Sequence, residues 1–155
     1  DEYPNLVPAE ELDAANHLAK NSFMIDEFIA NQFDAGKISK DLFTRANRKV
    51  KLHGHCHQKA LSSVNFSQKI LSIPTNYKVE VIPSGCCGMA GSFGYEKEHY
   101  DLSMQVGELV LFPAVRKAEV ETLIAAPGTS CRHQIKDGTG REAKHTVEIL
   151  FDALA

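Results

Sequence analysis

The sequence predicts an α/β fold: a small parallel sheet of about four strands with helices on both faces, preceded by a helical lead-in. Two observations predict it. Between residues 49 and 155, short runs of β-formers alternate with stretches of helical periodicity, which is the spacing of βαβ units. Residues 1 to 48 lack such alternation and carry helical spacing instead. A third observation bounds the class. The 155 residues are 43% hydrophobic and 24% charged, the mix of one globular domain with a real core. There is no internal repeat and no boundary between independent domains, so the division is 1 to 48 as lead-in and 49 to 155 as the α/β unit.

The elements follow in order. "DEYPNLV" at 1 to 7 is irregular. From Pro8 to Gly36, Leu12, Ala15, Leu18 and Ala19 recur at helical intervals, and Phe23, Ile25, Phe28, Ile29 and Phe33 continue the apolar content. Pro8 suits a first helical turn and Gly36 a C-terminal stop; Asn21-Ser22 divides the stretch into two helices. Residues 37 to 49 form a polar loop with a short helix. "KVKLHG" at 49 to 54 is a strand ending at a glycine, and 58 to 71 an amphipathic helix. At 77 to 83, Val79 and Val81 alternate with Lys78 and Glu80, which makes a second strand. Residues 96 to 118 are helical, with Pro113 as a kink or end. Residues 120 to 127 are a third strand, 128 to 138 a loop leading into a short helix, 141 to 145 a brief fourth strand, and 146 to 155 a closing helix.

Charge and motifs remove several function classes. A net charge of −3 gives no electrostatic reason to expect nucleic acid or an acidic membrane as partner. No apolar run approaches the roughly 20 residues of a membrane span. There is no signal peptide. The chain opens on Asp1 rather than Met, so it reads as a segment of a longer polypeptide. G-x-S-x-G, G-x-G-x-x-G and the P-loop lysine are all absent. A phosphatase-type cysteine needs an arginine six positions on, and that position after Cys56 is Ser62. Cys131 with His133 could form an activated thiol, but that leaves the other cysteines unexplained.

The four cysteines carry the chemistry. They do not suggest a disulfide scaffold in a chain without secretory features, and adjacent Cys86 and Cys87 are poor partners for each other. Cys56 follows the first strand, Cys86 and Cys87 the second, and Cys131 the third. Ligands of open α/β sheets bind at that edge, so sulfurs scattered along the sequence should meet there. Each loop also opens a helix, whose free N–H groups and partial positive charge favour thiolates. Gly85, Gly88, Gly91 and Gly94 let the backbone approach a bulky centre. Two neighbouring cysteines can then hold two different metal atoms of one cluster. The rival reading, from another class, is an interaction module whose cysteines stay free thiols.

Histidines are the secondary candidates. His53, His55 and His57 alternate around Cys56; His55 and His57 flank it directly and are the stronger candidates, with His133 beside Cys131. Gln134 points its amide at the centre or into the core. Lys59 and Arg132 lie near the rim. Ser84 and Ser130 read as helix caps, and His17, His99 and His145 as structural or exposed.

The stretches "CHQKAL", "GCCGMAGSFG" and "TSCRHQI" together resemble the cysteine-rich CCG domain. That family occurs in a subunit of heterodisulfide reductase, in iron–sulfur subunits of glycolate and lactate oxidation, and at the C-terminus of large FAD-linked oxidases. The resemblance covers 51 to 150. "HGHCHQKAL" and "CCGMAGSFGYEKEHYDLSMQVGE" look most like the fused FAD-linked type, such as D-lactate or D-2-hydroxyglutarate dehydrogenases. "DEYPNLVP" is similar to the segment joining two CCG units. The resemblance implies a metal-binding, electron-transfer oxidoreductase domain that passes electrons from flavin to a quinone or protein acceptor. Its ligands would be Cys56, Cys86, Cys87 and Cys131. It implies FAD on another domain of the polypeptide, a preceding CCG unit, no activity of this segment alone, and a cytoplasmic location, in solution or at the inner face of the membrane. The fuller family motif closes with C-x-x-C; here Gln134 takes the last place. Four cysteines suit one four-iron (4Fe-4S) cluster, or zinc with a histidine replacing a cysteine.

Overall fold

The computed structural model describes residues 2–155; Asp1, the first residue of the expected lead-in, lies outside them. Three strands form one parallel sheet: β1 (Arg48–Leu52), β2 (Tyr77–Val81) and β3 (Leu123–Ala125). Their order is β2-β1-β3. The α/β class therefore holds, with one strand fewer than about four. At 141 to 145 there is only a bridge between Lys144 and Ala125. Arg141 is drawn aside: its guanidinium donates to the carbonyls of Val120 at 3.2 Å and Thr122 at 2.8 Å. His145 already caps the last helix, so no length is left for a strand.

Strand alternation sorts the side chains onto two faces. Val50, Leu52 and Ala125 pack with Val79, Val81 and Leu123 in one core. Ile82, Ile124 and Ala126 belong to a second core on the other face. Helices cover both. The lead-in holds α1 (Tyr3–Leu6), α2 (Leu12–Lys20) and α3 (Ile25–Asp34). The short α1 stands where an irregular segment was expected, with Pro4 in its first turn. α2 stops where the Asn21 amide donates back to the His17 carbonyl at 2.8 Å and Ser22 Oγ to that of Leu18 at 2.8 Å; such local bonds compete with helix continuation.

Two expected single helices are divided. The first is α4 (Cys56–Leu61) followed by α5 (Val64–Leu71). Ser63 Oγ accepts the Asn65 N–H at 3.1 Å and starts a new helix. The second is α6 (Tyr100–Leu109) followed by α7 (Leu111–Arg116). Its break is at Val110, with φ −143°, and not at Pro113. Pro113 is the third residue of α7, where a missing N–H costs nothing. α8 (Thr129–Thr139) begins directly after Gly128, where a loop was expected. α9 (Thr146–Asp152) closes the chain.

α3, α5 and α9 lie on the first face. Ala30 of α3 and Phe43 share that core with Val50. A buried polar knot joins these helices. Asp26 of α3, 2% exposed, accepts from Thr146 Oγ1 at 2.7 Å and from Ser67 Oγ; Ser67 in turn accepts from Gln58 Nε2 at 2.6 Å. Asp26→Ala would strand two buried hydroxyls. It is expected to lower stability by about 2–4 kcal/mol, read as a lower urea midpoint at unchanged slope. On the second face, Phe112 of α7 is fully buried between α6 and α8. A Cβ on Gly107 or Gly138 would fall 2.3 Å from its ring. That close packing fixes the position of α8, which carries Cys131. Among the described residues, no helix is long and apolar enough to cross a membrane.

Candidate metal centre

The sheet's hydrogen-bond ladder runs past the strand ends. The His53 N–H donates to the Ala125 carbonyl at 2.8 Å, and the Ile82 N–H to that of Leu52 at 2.8 Å. The three loops therefore start side by side. The chain after β1 turns to the first face and the chain after β3 to the second, so a crevice opens between them, the usual ligand position in such sheets. Cys56 is the first residue of α4 and Cys131 the third of α8. Cys86 and Cys87 lie in the loop after β2.

All four cysteines line one cavity of about 330 Å³, together with His55, His57, Ala90, Gly91 and Ser130. Cys87 and Cys131 are buried at its floor, Cys86 is half-buried, and Cys56 is exposed at its mouth. The two floor sulfurs, of Cys87 and Cys131, and a ring nitrogen of His53, which does not itself line the cavity, lie within 4.8 Å of one another. His53 is 0% exposed. Its Nδ1 is 2.7 Å from Ser84 Oγ, and its Nε2 has no hydrogen-bond partner among the described residues. At the mouth, Cys56 Sγ donates to the Gly85 carbonyl at 3.7 Å, and Cys86 Sγ accepts the Gly88 N–H at 3.2 Å.

The thiols divide the charge unequally. A hydrogen bond from the Cys131 thiol holds Cys87 well below the ordinary thiol range, against burial and with help from His53. The same bond, with burial added, pushes Cys131 up. The inner pair thus keeps one proton between its two sulfurs, a property of the pair. Burial, then Cys86, pushes Cys56 up as well. Burial also lowers the His55 imidazole, opposed by Cys87. Metal binding here would displace the remaining thiol protons.

Local sequence explains the loop's shape. Gly88 has φ +101°, and a Cβ there would stand 2.1 Å from the Ser103 carbonyl oxygen; the loop is pressed against α6. Gly91 is left-handed too, at φ +72°. Gly85 is different: its Cβ position faces open space and its φ is not left-handed. It serves through its carbonyl, which Lys59 Nζ reaches at 3.2 Å while also donating to the Ser84 carbonyl at 2.8 Å. Arg132 likewise holds the β3–α8 loop, donating to the carbonyls of Ala126 and Pro127, each at 3.0 Å. Both cations tie loops down. Lys59→Met is expected to cost about 1–2 kcal/mol and to speed loss of bound metal to a chelator; an unchanged release rate would show that the loop stands without it.

Other sequence candidates are placed elsewhere. His133 meets the Tyr95 hydroxyl at 2.7 Å and is exposed. The Gln134 amide donates to Ser103 O at 3.0 Å and Oγ at 2.8 Å, joining α8 to α6; neither residue lines the cavity. His55 and His57 do line it, their ring centroids 6.4 Å apart. His53, ranked behind both, is the imidazole grouped with the buried sulfurs. Ser84, read as a cap, is its partner. Alternation carried the missing signal: Val50 and Leu52 face the first core, so His53 must face the other side.

The donor set fits a thiophilic centre, since thiolates and imidazole suit zinc and iron–sulfur clusters. Over its full length the chain is 25% identical to a subunit of the anaerobic glycerol-3-phosphate dehydrogenase of Escherichia coli K12. Over 86% of its length it is 28% identical to the D-2-hydroxyglutarate dehydrogenase of the same strain, covering 13% of that protein. Over 96% it is 29% identical to lactate utilization protein A of Bacillus subtilis, covering 63% of it. The chain spans only 37% of the glycerol-3-phosphate dehydrogenase subunit it matches. No family model and no solved structure matches. The chain is thus similar to regions of larger proteins, dehydrogenases among them, and brings to that likeness a cluster of cysteine and histidine.

Proposed function

We propose that this chain is the iron–sulfur, electron-transfer domain of an FAD-linked 2-hydroxyacid oxidoreductase, of the cysteine-rich CCG type. The observation that carries the reading is the convergence of four cysteines, from three separate loops, on one cavity. The likeness to dehydrogenases supports it. Cys56, Cys86, Cys87 and Cys131 are the ligands, one per iron of a 4Fe-4S cluster. When bound, such a cluster carries one electron at a time, between a flavin on another domain and a quinone or protein acceptor. The chain's own residues supply thiolates at the floor and mouth of the cavity. They bury the inner half away from water and brace the loops through Lys59 and Arg132.

In this reading residues 1 to 48 link to an upstream CCG unit, and the flavin domain belongs to the same polypeptide. The whole works in the cytoplasm, in solution or at the inner face of the membrane, and the segment alone has no turnover. A second reading, a structural zinc site, draws on the buried grouping of His53 with Cys87 and Cys131, a nitrogen–sulfur set that zinc accepts. Metal analysis and visible absorption of protein purified without air separate the two. A brown sample with about four irons supports the cluster. A colourless one with a single zinc supports the second reading. A folded protein that takes up neither metal overturns both.

A further inference from the structure

We infer that His53 is a ligand of the metal centre, bonding through Nε2 to a metal atom that at least one of the buried cysteines, Cys87 or Cys131, also holds, with Ser84 as its positioning residue. The inference rests on the reading of the cavity as a metal centre. It goes beyond that reading by adding an imidazole donor to the four thiols and by choosing among the histidines.

Three observations carry it. First, Nε2 is a fully buried polar atom with no partner among the described residues. Buried imidazole nitrogens are seldom left so, because an unmade hydrogen bond there costs about 1–3 kcal/mol. Second, the imidazole lies behind the cavity lining, with a ring nitrogen within 4.8 Å of the two buried sulfurs that form the cavity floor. Third, Nδ1 is held by Ser84 Oγ at 2.7 Å, so Nε2 is the nitrogen left to bond there. When Nδ1 donates to Ser84, the Nε2 lone pair is free for a metal, as metal-bound histidines are usually oriented.

The orientation is fixed on every side. The His53 backbone is held in the ladder by Ala125. Ser84 is 5% exposed, and its carbonyl is held by Lys59. His55 and His57 lack this arrangement: one is half-buried and the other exposed, and neither is grouped with the buried sulfurs. The centre is therefore asymmetric, with a rigid nitrogen–sulfur inner side and a thiol-only mouth formed by Cys56 and Cys86.

The test uses metal-free protein loaded without air, either with ferrous iron and sulfide or with Zn²⁺ alone, and read by X-ray absorption at the metal edge. A nitrogen shell, at about 2.0–2.1 Å in the zinc form, is expected in the wild type. It should persist in His55→Ala and His57→Ala and vanish in His53→Ala. Ser84→Ala keeps the imidazole and loses its partner; it should weaken zinc affinity about 10–100-fold, measured by chelator competition. An all-sulfur shell in metal-loaded wild type, or a nitrogen shell surviving in His53→Ala, overturns the inference and leaves the metal centre standing. Wild-type protein that takes up neither probe overturns the metal centre and this inference with it. Should His53→Ala fail to fold, the wild-type shell and the Ser84→Ala affinity still decide.

Discussion

Replacing Cys131 by serine is expected to leave a folded protein that holds no metal. The two side chains differ little in size, so the packing of α8, whose Ile135 shares a core with Ile124, should survive. The donor changes completely. A serine hydroxyl is a hard oxygen that stays protonated near neutral pH, whereas zinc and iron–sulfur centres take thiolate sulfur. Cys131 is also central to the floor: it lies within 4.8 Å of Cys87 and His53 and donates the hydrogen bond that lowers Cys87. Loss of one ligand therefore disturbs a second. Cys86→Ser, at the half-buried wall, should abolish loading as well. Iron, zinc and sulfide content of anaerobic preparations would be compared with wild type, and far-UV circular dichroism would report the fold. Full metal content in either variant removes that cysteine from the ligand set.

Gly88→Ala is expected to have the largest effect on the fold itself. Two penalties add at this position. A φ of +101° is a backbone region that residues with a Cβ rarely occupy, and forcing one there costs about 1–3 kcal/mol. The new methyl would also stand 2.1 Å from the Ser103 carbonyl oxygen and 3.0 Å from Gln134 Nε2. A helix carbonyl cannot swing aside as a flexible side chain can, so the loop must lift off α6, at about 1–3 kcal/mol or more. The sum is about 2–6 kcal/mol, a large fraction of a domain's whole stability. The lifted loop also carries Cys86 and Cys87 away from Cys131. Denaturant unfolding would measure the first effect and metal uptake the second. Gly85→Ala, three residues earlier, is the control: its Cβ would meet nothing within 4 Å, and near-wild-type stability is expected. Equal behaviour of the two variants would refute this account of the loop.

Much of this molecule was legible in one dimension. Alternation at Val79 and Val81, the β-formers before Cys56 and the apolar run before Pro127 marked three parallel strands, because period-two patterning and strand–helix spacing are local properties. The meeting of the cysteines at one sheet edge followed from the same alternation. Helix ends were harder. The breaks at Ser62-Ser63 and Val110 depend on single caps and torsions that periodicity averages over. The missing fourth strand was decided by Arg141, whose guanidinium reaches carbonyls some twenty residues earlier in the chain.

The ranking of side chains at the site was decided by tertiary structure alone. In the sequence, His53, His55 and His57 are near equals around Cys56, and Gln134 stands at a motif position. Packing separates them. The sheet seals His53 beside Cys87 and Cys131, α4 lifts His57 toward solvent, and Ser103 claims the Gln134 amide. Residue type and spacing along the chain determine which donors exist and roughly where the loops begin. Which lone pair ends up buried without a partner depends on what three distant segments leave uncovered, and that is settled only once they close on one another.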